Sequence, residues 1–324
     1  MNRRLRTALR ARRASIDRVA YLRHRPAERR LAQAKPGQLA AWDGFAARTA
    51  AVHAQLAACG APTGVTPLWS DYLDGLRDAL LPVPPCSFLH HPVLLETMEV
   101  RGTRLRHREL RWLQRHVPDE ALYAALEEDP AGEPTLSVTN PDTSQTALHH
   151  LFHLERLRHR TGVRAGDLDT VVEWGGGFGG FARTLRRTSR GTPPAHVIID
   201  LPLVAALQWT YLCTVFGEEH VDLALQPGHR PRPGAFTLVP AAIGLDLDVR
   251  ADLFVSLWGL SEVAAPTQDA VAARRFFDAR HLLMAFQTSG PDTPDAEHVG
   301  DLARGAGAAI EPVGVLSHSS YVLR

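Results

Sequence analysis

Five glycines fall within six positions after an apolar run that ends near a carboxylate: Val171-Val172-Glu173-Trp174-Gly175-Gly176-Gly177-Phe178-Gly179-Gly180. Glycine tolerates positive φ, and without a Cβ it lets backbone N–H groups approach a ligand. A helix beginning at Phe178 would add unpaired N–H donors and the positive end of its dipole, so the stretch reads as a nucleotide-type cradle at a strand's carboxyl end. A ligand-free strand–helix turn would need fewer glycines. Asp200 closes the next apolar run, His196-Val197-Ile198-Ile199-Asp200, twenty residues after Gly180. Its forked oxygens suit a ribose diol. Before Leu201-Pro202 it could equally cap a helix, and the two roles are compatible. Upstream, His149, His150 and His153 stand at helical spacing, His149 and His153 sharing a face. Imidazole is the usual base near neutral pH, so these are candidates for acceptor binding or proton transfer, with His150 and His153 favoured over His149. Packing is the competing role for each. A metal reading lacks both the H-E-x-x-H pattern and a third ligand. Glu262, after a later strand, could hydrogen-bond an acceptor's hydroxyls or orient a histidine. Asp246, Asp248 and Asp252 read as a solvated turn rather than a Mg²⁺ site.

Two fingerprints fit the glycine loop. Gly175-x-Gly177-x-x-Gly180 matches the dinucleotide pattern. Glu173-x-Gly175-x-Gly177-x-Gly179 resembles motif I of the class I S-adenosylmethionine (SAM) methyltransferases. Glu173 favours the second, because a carboxylate pointing into the loop would repel a pyrophosphate yet hold the ammonium of a methionine moiety. The position favours it too, since a nicotinamide domain often opens its chain and here about 170 residues precede the loop.

The chain further resembles the sugar O-methyltransferases, a bacterial SAM-dependent family, in four ordered blocks. These are Thr143-Ser144 leading into Leu148-His149-His150-Leu151-Phe152-His153-Leu154, the loop Glu173–Gly180, Ile198-Ile199-Asp200-Leu201-Pro202, and Leu253–Val263 with its Ser261-Glu262. Pro92-x-x-x-x-Thr97-Met98 is a fainter fifth. The likeness covers roughly Pro92–Arg324 and departs at Ser256-Leu257-Trp258-Gly259-Leu260-Ser261-Glu262-Val263, where the family carries Asn and ends in Glu-Met. The resemblance implies a SAM-dependent O-methyltransferase of sugars or related natural-product intermediates, the acceptor free or carrier-bound. Glu173, Gly175, Gly177, Gly179, Asp200, Leu201 and Ser256 would then contact the cofactor, and His150, His153 and Glu262 would serve catalysis, with Trp258 lining the acceptor pocket. The competing readings are a methyltransferase-like scaffold working with a partner protein, a nucleic-acid methyltransferase, and a nicotinamide dehydrogenase. No Asp/Asn-Pro-Pro-Tyr/Phe pattern follows the fourth strand. Pro85-Cys86, a dipeptide of the cytosine C5 type, lies far upstream of the loop.

The elements that must position these residues follow from the pattern. From Thr143 onward strand-like and helix-like segments alternate: helix Thr143–Arg160, strand Thr170–Glu173, helix Phe178–Arg187, strand His196–Asp200, helix Leu203–Phe216, strands Phe236–Pro240 and Asp252–Leu257, helix Thr267–Asp278, strand His281–Phe286, helix Val299–Ala306. A terminal hairpin is expected from Val313–Leu316 and Ser320–Leu323. Such alternation predicts an α/β fold: a Rossmann-like class I methyltransferase sheet, mostly parallel, with a C-terminal antiparallel hairpin. A helical N-terminal region, residues 1–140, precedes a SAM-binding domain, 141–324; it is read as a lid, an acceptor domain or an oligomerisation domain, with a homodimer in view. Helices are expected over residues 1–60, Trp69–Leu81 and 104–128.

The 324 residues carry a net charge of +1, and 45% are hydrophobic and 22% charged, an ordinary globular balance that excludes a disordered or fibrous chain. The near-zero net charge gives no global field toward nucleic acid; residues 1–30 hold eleven Arg against Asp17 and Glu28, a basic face read as a solvated helix surface that could also touch phosphate or acidic partners, and the remainder is net acidic. Three scattered cysteines and the absence of a signal core or an apolar run of membrane length point to a cytoplasmic protein. A single Lys beside 35 Arg fits GC-rich bacterial coding.

Overall fold

The computed structural model describes residues 29–324 apart from 63, 101–102, 137–141, 315 and 317, and not the side chains of 103–107. The Arg-rich leader thus lies outside the described residues.

Eight strands form one sheet: β1 Thr170–Trp174, β2 Ala195–Asp200, β3 Val221–Leu223, β4 Phe236–Pro240, β5 Leu253–Leu257, β6 His281–Gln287, β7 Ala309–Pro312 and β8 Ser319–Leu323. Their order is β3-β4-β2-β1-β5-β6-β8-β7. The first six are parallel, and β8 and β7 close one edge as an antiparallel pair. This is the expected Rossmann-like sheet, mostly parallel with a C-terminal antiparallel hairpin. β1 and β2 are buried on both faces, hence their continuous apolar runs. The chain order reverses at β1, where β2 lies on one side and β5 on the other, and such a switch point opens a crevice at the carboxyl ends.

The helix Gln145–Thr161 has legible ends. Ser144 caps it, accepting from the Ala147 N–H at 3.0 Å, and Gly162 ends it at φ +81°. The helix Gly180–Thr188 starts from Gly179, at φ +96°, and docks through Phe181, Ala182 and Leu185. Full burial of a Phe or Leu contributes about 1.5–3 kcal/mol each. Arg183 on this helix is buried too. Its Nε meets Asp129 Oδ2 at 2.6 Å and its Nη2 meets Glu128 Oε2 at 3.0 Å. Burial alone would raise the Asp129 pKa, but Arg183, Arg187 and Lys35 hold it down to about 2. This ion cluster fastens the loop's helix to the segment before residue 140.

That segment shares its cores with the sheet. Trp42, Leu56, Leu76 and Phe88 pack with Ile198, Trp209 and Tyr211, and Leu113, Leu122 and Leu126 pack with Leu148, Phe181 and Val255. The N-terminal helices run Pro36–Ala46, Thr49–Ala57, Pro67–Leu80, Pro92–Thr97, Thr103–His116 and Asp119–Leu126. Pro118 splits the run expected as one helix over 104–128.

Three other expectations shift. The helix expected to reach Asp278 ends at Ala273, and Arg275–Asp278 turn left-handed, with φ between 52° and 60°. This turn buries both Phe276 and Phe277 against Phe254. The hairpin is present, but its first strand is Ala309–Pro312 rather than Val313–Leu316, paired so that Glu311 faces Tyr321. The edge strand β3 carries no apolar run and was not foreseen. No helix of the described residues is long and apolar enough to cross a membrane.

Candidate active site

A hollow of ≈ 380 Å³ opens over the carboxyl ends of β1, β2 and β5, within the usual range for small-molecule sites. Its floor follows from strand register. Trp174 pairs with Ile199, so Gly175 and Asp200 leave the sheet together, and the Gly175 N–H donates to Ile199 O at 2.9 Å. Gly175 and Gly177 hold φ of +74° and +57°. A Cβ on Gly175 would lie 2.7 Å from Gly259 Cα, so two backbones touch where the loops after β1 and β5 meet. The nearest neighbour of a Cβ on Gly177 would be Met98, at 3.6 Å, beside the hollow. Gly179 is the helix N-cap and lies off the hollow.

Beneath the loop, the buried Glu173 accepts from or shares a proton with His196 Nε2 at 2.8 Å and still lines the hollow. Asp200 accepts from the Leu201 N–H through Oδ1 and from Gln208 Nε2 through Oδ2, each at 2.8 Å. Burial pushes its carboxyl up to about 7 despite these donors. The first residue of the following helix gains no cap from it, so the capping role is not the one seen. Gln208 also donates to Gly177 O at 2.8 Å, tying the loop to Asp200. Leu201 lines the hollow. Ser256 does not: its hydroxyl donates to Trp174 O at 2.9 Å and accepts from the Leu260 N–H at 2.8 Å, so it clamps the β5 turn onto β1.

The wall is built by the helix Gln145–Thr161. His149 and His150 line the hollow, and His153 does not. His149 Nδ1 lies 2.5 Å from Glu109 Oε1, both residues fully buried, and His149 Nε2 has no partner. The His149 ring stacks on Trp258, centroids 5.8 Å apart at 20°. Trp258 holds φ +69°, a left-handed conformation rare for a bulky residue, fixed by its N–H on Ala285 O and by Ser261 on its carbonyl. His150 is held down to about 3 by burial, then by His149 and Arg183. His153 shares a 2.5 Å hydrogen bond with the Tyr321 hydroxyl, and burial drives it well below its ordinary pKa.

The far side carries Glu262, whose Oε2 accepts from Trp69 Nε1 at 3.0 Å and whose carboxyl burial raises to about 7. Gly64–Tyr72 and Glu96–Val100 complete the enclosure. The site therefore joins Glu173, Gly175, Gly177, Asp200, Leu201, His150 and Glu262, and leaves out Gly179, Ser256 and His153. Sequence reading missed Glu109, Trp69, Gln208 and Gly259. Glu109 had a signal: with Leu113 and Val117 at i+4 and i+8 it interrupts an apolar stripe with a carboxylate. Among the described residues no three His, Cys, Asp or Glu side chains converge as a metal site; Asp252 instead binds the Asp169 and Thr170 N–H groups at the sheet's opposite end. The Cys86 thiol, raised to about 11 by burial, lies off the hollow.

No protein-family model matches the chain, and neither does any curated protein. Solved structures are similar at low identity. The mitomycin 7-O-methyltransferase MmcR is 12% identical over 74% of this chain and 72% of its own, with a TM-score of 0.38. PigF with SAH is 13% identical over 79% and 68%, with a TM-score of 0.36. Aeropyrum pernix fibrillarin in complex with S-adenosyl-L-methionine is 14% identical over 52% and 73%, with a TM-score of 0.34. These are likenesses of fold.

Proposed function

We propose that the chain is a SAM-dependent O-methyltransferase of a sugar or similar polar small molecule, with His149 as the general base. One observation carries the reading: His149, whose Nε2 has no protein partner, lines the same hollow as the positive-φ glycine turn. The residues present fit the cofactor. Gly175 and Gly177 form a turn that side chains would strain, Asp200 offers a carboxylate to a diol, and Glu173 lies beneath for an ammonium. Bound there, SAM supplies an electrophilic methyl group on a sulfonium. Leu201 and the segment Glu96–Val100 would close over it, with Met98 above Gly177.

The chain's own residues supply the proton chemistry. Glu109 accepts from His149 Nδ1–H, which fixes the tautomer and leaves the lone pair on Nε2. Nε2 takes the acceptor hydroxyl's proton, and the resulting imidazolium is stabilised by the Glu109 carboxylate. Such base catalysis contributes about 10²–10⁴ in rate. Two arguments place the base here rather than at His150 or His153. An imidazole held at about 3 accepts protons poorly at neutral pH, and His153 stands off the hollow against Tyr321. Trp258, stacked on His149, restricts the ring and excludes water.

Calorimetric titration with S-adenosylhomocysteine (SAH) tests the reading. Saturable heat is expected, and weakened binding in Asp200→Asn. No heat on folded protein overturns it. Binding without methyl transfer to any hydroxylated acceptor would instead favour a scaffold.

A further inference from the structure

The helix Pro202–Phe216 is buried continuously from Pro202 to Thr214, and its polar side chains divide in use. Thr210 and Thr214 return their hydroxyls to carbonyls of their own helix, Ala206 O and Thr210 O. Gln208, 0% exposed, reaches outward instead: its Nε2 donates to Gly177 O and to Asp200 Oδ2, each at 2.8 Å. Both partners are oxygens, so the amide stands with Nε2 toward them, and its Oε1 has no partner among the described residues. A fully buried amide is costly to desolvate, and here its two donor bonds go to the two halves of the floor. The packing is close, since a Cβ on Gly176 would lie 3.4 Å from Gln208 Nε2. Gln208 itself does not line the hollow, so it acts from behind the groups that do.

Each bond has a consequence. Across a planar trans peptide the C=O and N–H point in opposite directions, so fixing Gly177 O on Gln208 turns the Phe178 N–H away from that helix. Such turn N–H groups are the donors a glycine cradle offers a ligand. On the other side, desolvation raises the Asp200 carboxyl to about 7; the Leu201 N–H and then Gln208 oppose the rise, Glu173, paired with His196 at 2.8 Å, adds to it, and the Gly176 N–H opposes it. Toward β4, Asp200 pairs with Pro240, which carries no charge.

We propose that Gln208 is the positioning residue of the cofactor site: one buried amide locks the Gly177–Phe178 peptide and the Asp200 carboxylate into a single unit, so that turn and carboxylate are presented together and the carboxylate keeps a donor for its charged form. This rests on the methyltransferase reading above, in which the glycine turn and Asp200 hold SAM.

The test is calorimetric titration with SAH between pH 6 and pH 9 on the native protein, Gln208→Met and Gln208→Glu, with circular dichroism to verify folding. Gln208→Met keeps the length of the side chain and removes both donor bonds. Its SAH affinity at pH 7 is expected to fall about tenfold, and the midpoint of its pH dependence to rise by about one unit, because a carboxylate that loses a donor is protonated at higher pH. Gln208→Glu sets a second carboxyl against Asp200. Two carboxyls this close share one proton, so a donor survives at low pH and like charge replaces it at high pH. The profile of that variant is expected to reverse, with affinity about tenfold weaker at pH 8.5 than at pH 6. Should one variant fail to fold, the other carries the test. An affinity within twofold of native in Gln208→Met at pH 7, or a loss that is the same at every pH in the folded variants, as disturbed packing alone would give, overturns the inference and leaves the methyltransferase reading standing. No heat from the native protein removes that reading first, and this inference with it.

Discussion

The floor and the wall of the hollow are built in different ways. Every floor residue leaves the end of a neighbouring strand within one parallel register: Glu173 and Gly175 from β1, Asp200 from β2, with Gly259 pressed on Gly175 from the turn after β5. The wall draws on segments far apart in sequence, with Glu109 and His149 40 residues apart and Trp69 and Glu262 193 apart. The floor is held by backbone geometry, so its failures should be failures of shape. The wall is held by side-chain pairs, so its failures should be failures of chemistry in a protein that still folds.

The sharpest test of that division is His149→Ala. Methyl transfer is expected to drop about 10²–10⁴-fold with SAH affinity unchanged, measured by single-turnover assay and calorimetry. A loss of SAH binding would merge floor and wall. On the floor side, Asp129→Asn strips the buried Arg183 of a charged partner, and thermal unfolding should report a loss of about 3–5 kcal/mol. Gly175→Ala is expected to lose about 2–4 kcal/mol by the same measurement, because left-handed strain adds to a clash with Gly259 backbone. Gly177→Ala, whose nearest neighbour is Met98 at ordinary contact distance, should lose about 1–2 kcal/mol, with its larger effect on SAH affinity. Equal destabilisation by the two alanines would contradict the back-to-back glycine contact.

The smallest expected effect is on pH. Asp200, raised to about 7 in the free protein, is protonated below that value and loses acceptor capacity. SAH affinity should therefore fall as pH drops, by about tenfold between pH 8 and pH 6, and Asp200→Asn should flatten the profile. A profile that rises toward acid would exclude Asp200 as a contact to the ligand.

Much of the floor was legible because its signals are local. Val171–Gly180 and His196–Pro202 each carry a strand, a turn and a helix start in a dozen residues or fewer, and parallel pairing then sets them side by side. The histidine triplet was legible as a helix but not as a set of roles. Helical spacing puts His149 and His153 on one face, yet which imidazole opens to the hollow depends on Glu109, Tyr321 and Trp258, none of them a sequence neighbour. Ser256 was misread for a similar reason: a hydroxyl at a strand end suits a ligand, and here it is spent on Trp174 O and the Leu260 N–H.

The chain's own pattern determined the parallel sheet, the glycine turn and the carboxylates at the ends of β1 and β2, because strand period, glycine freedom and helix starts are short-range properties. Only the tertiary structure decided that His149 is the imidazole paired with Glu109 and stacked on Trp258, and that Glu262 accepts from the Trp69 indole across the hollow. Those outcomes depend on which distant side chains exclude water from which atoms, and desolvation is a property of the packed whole.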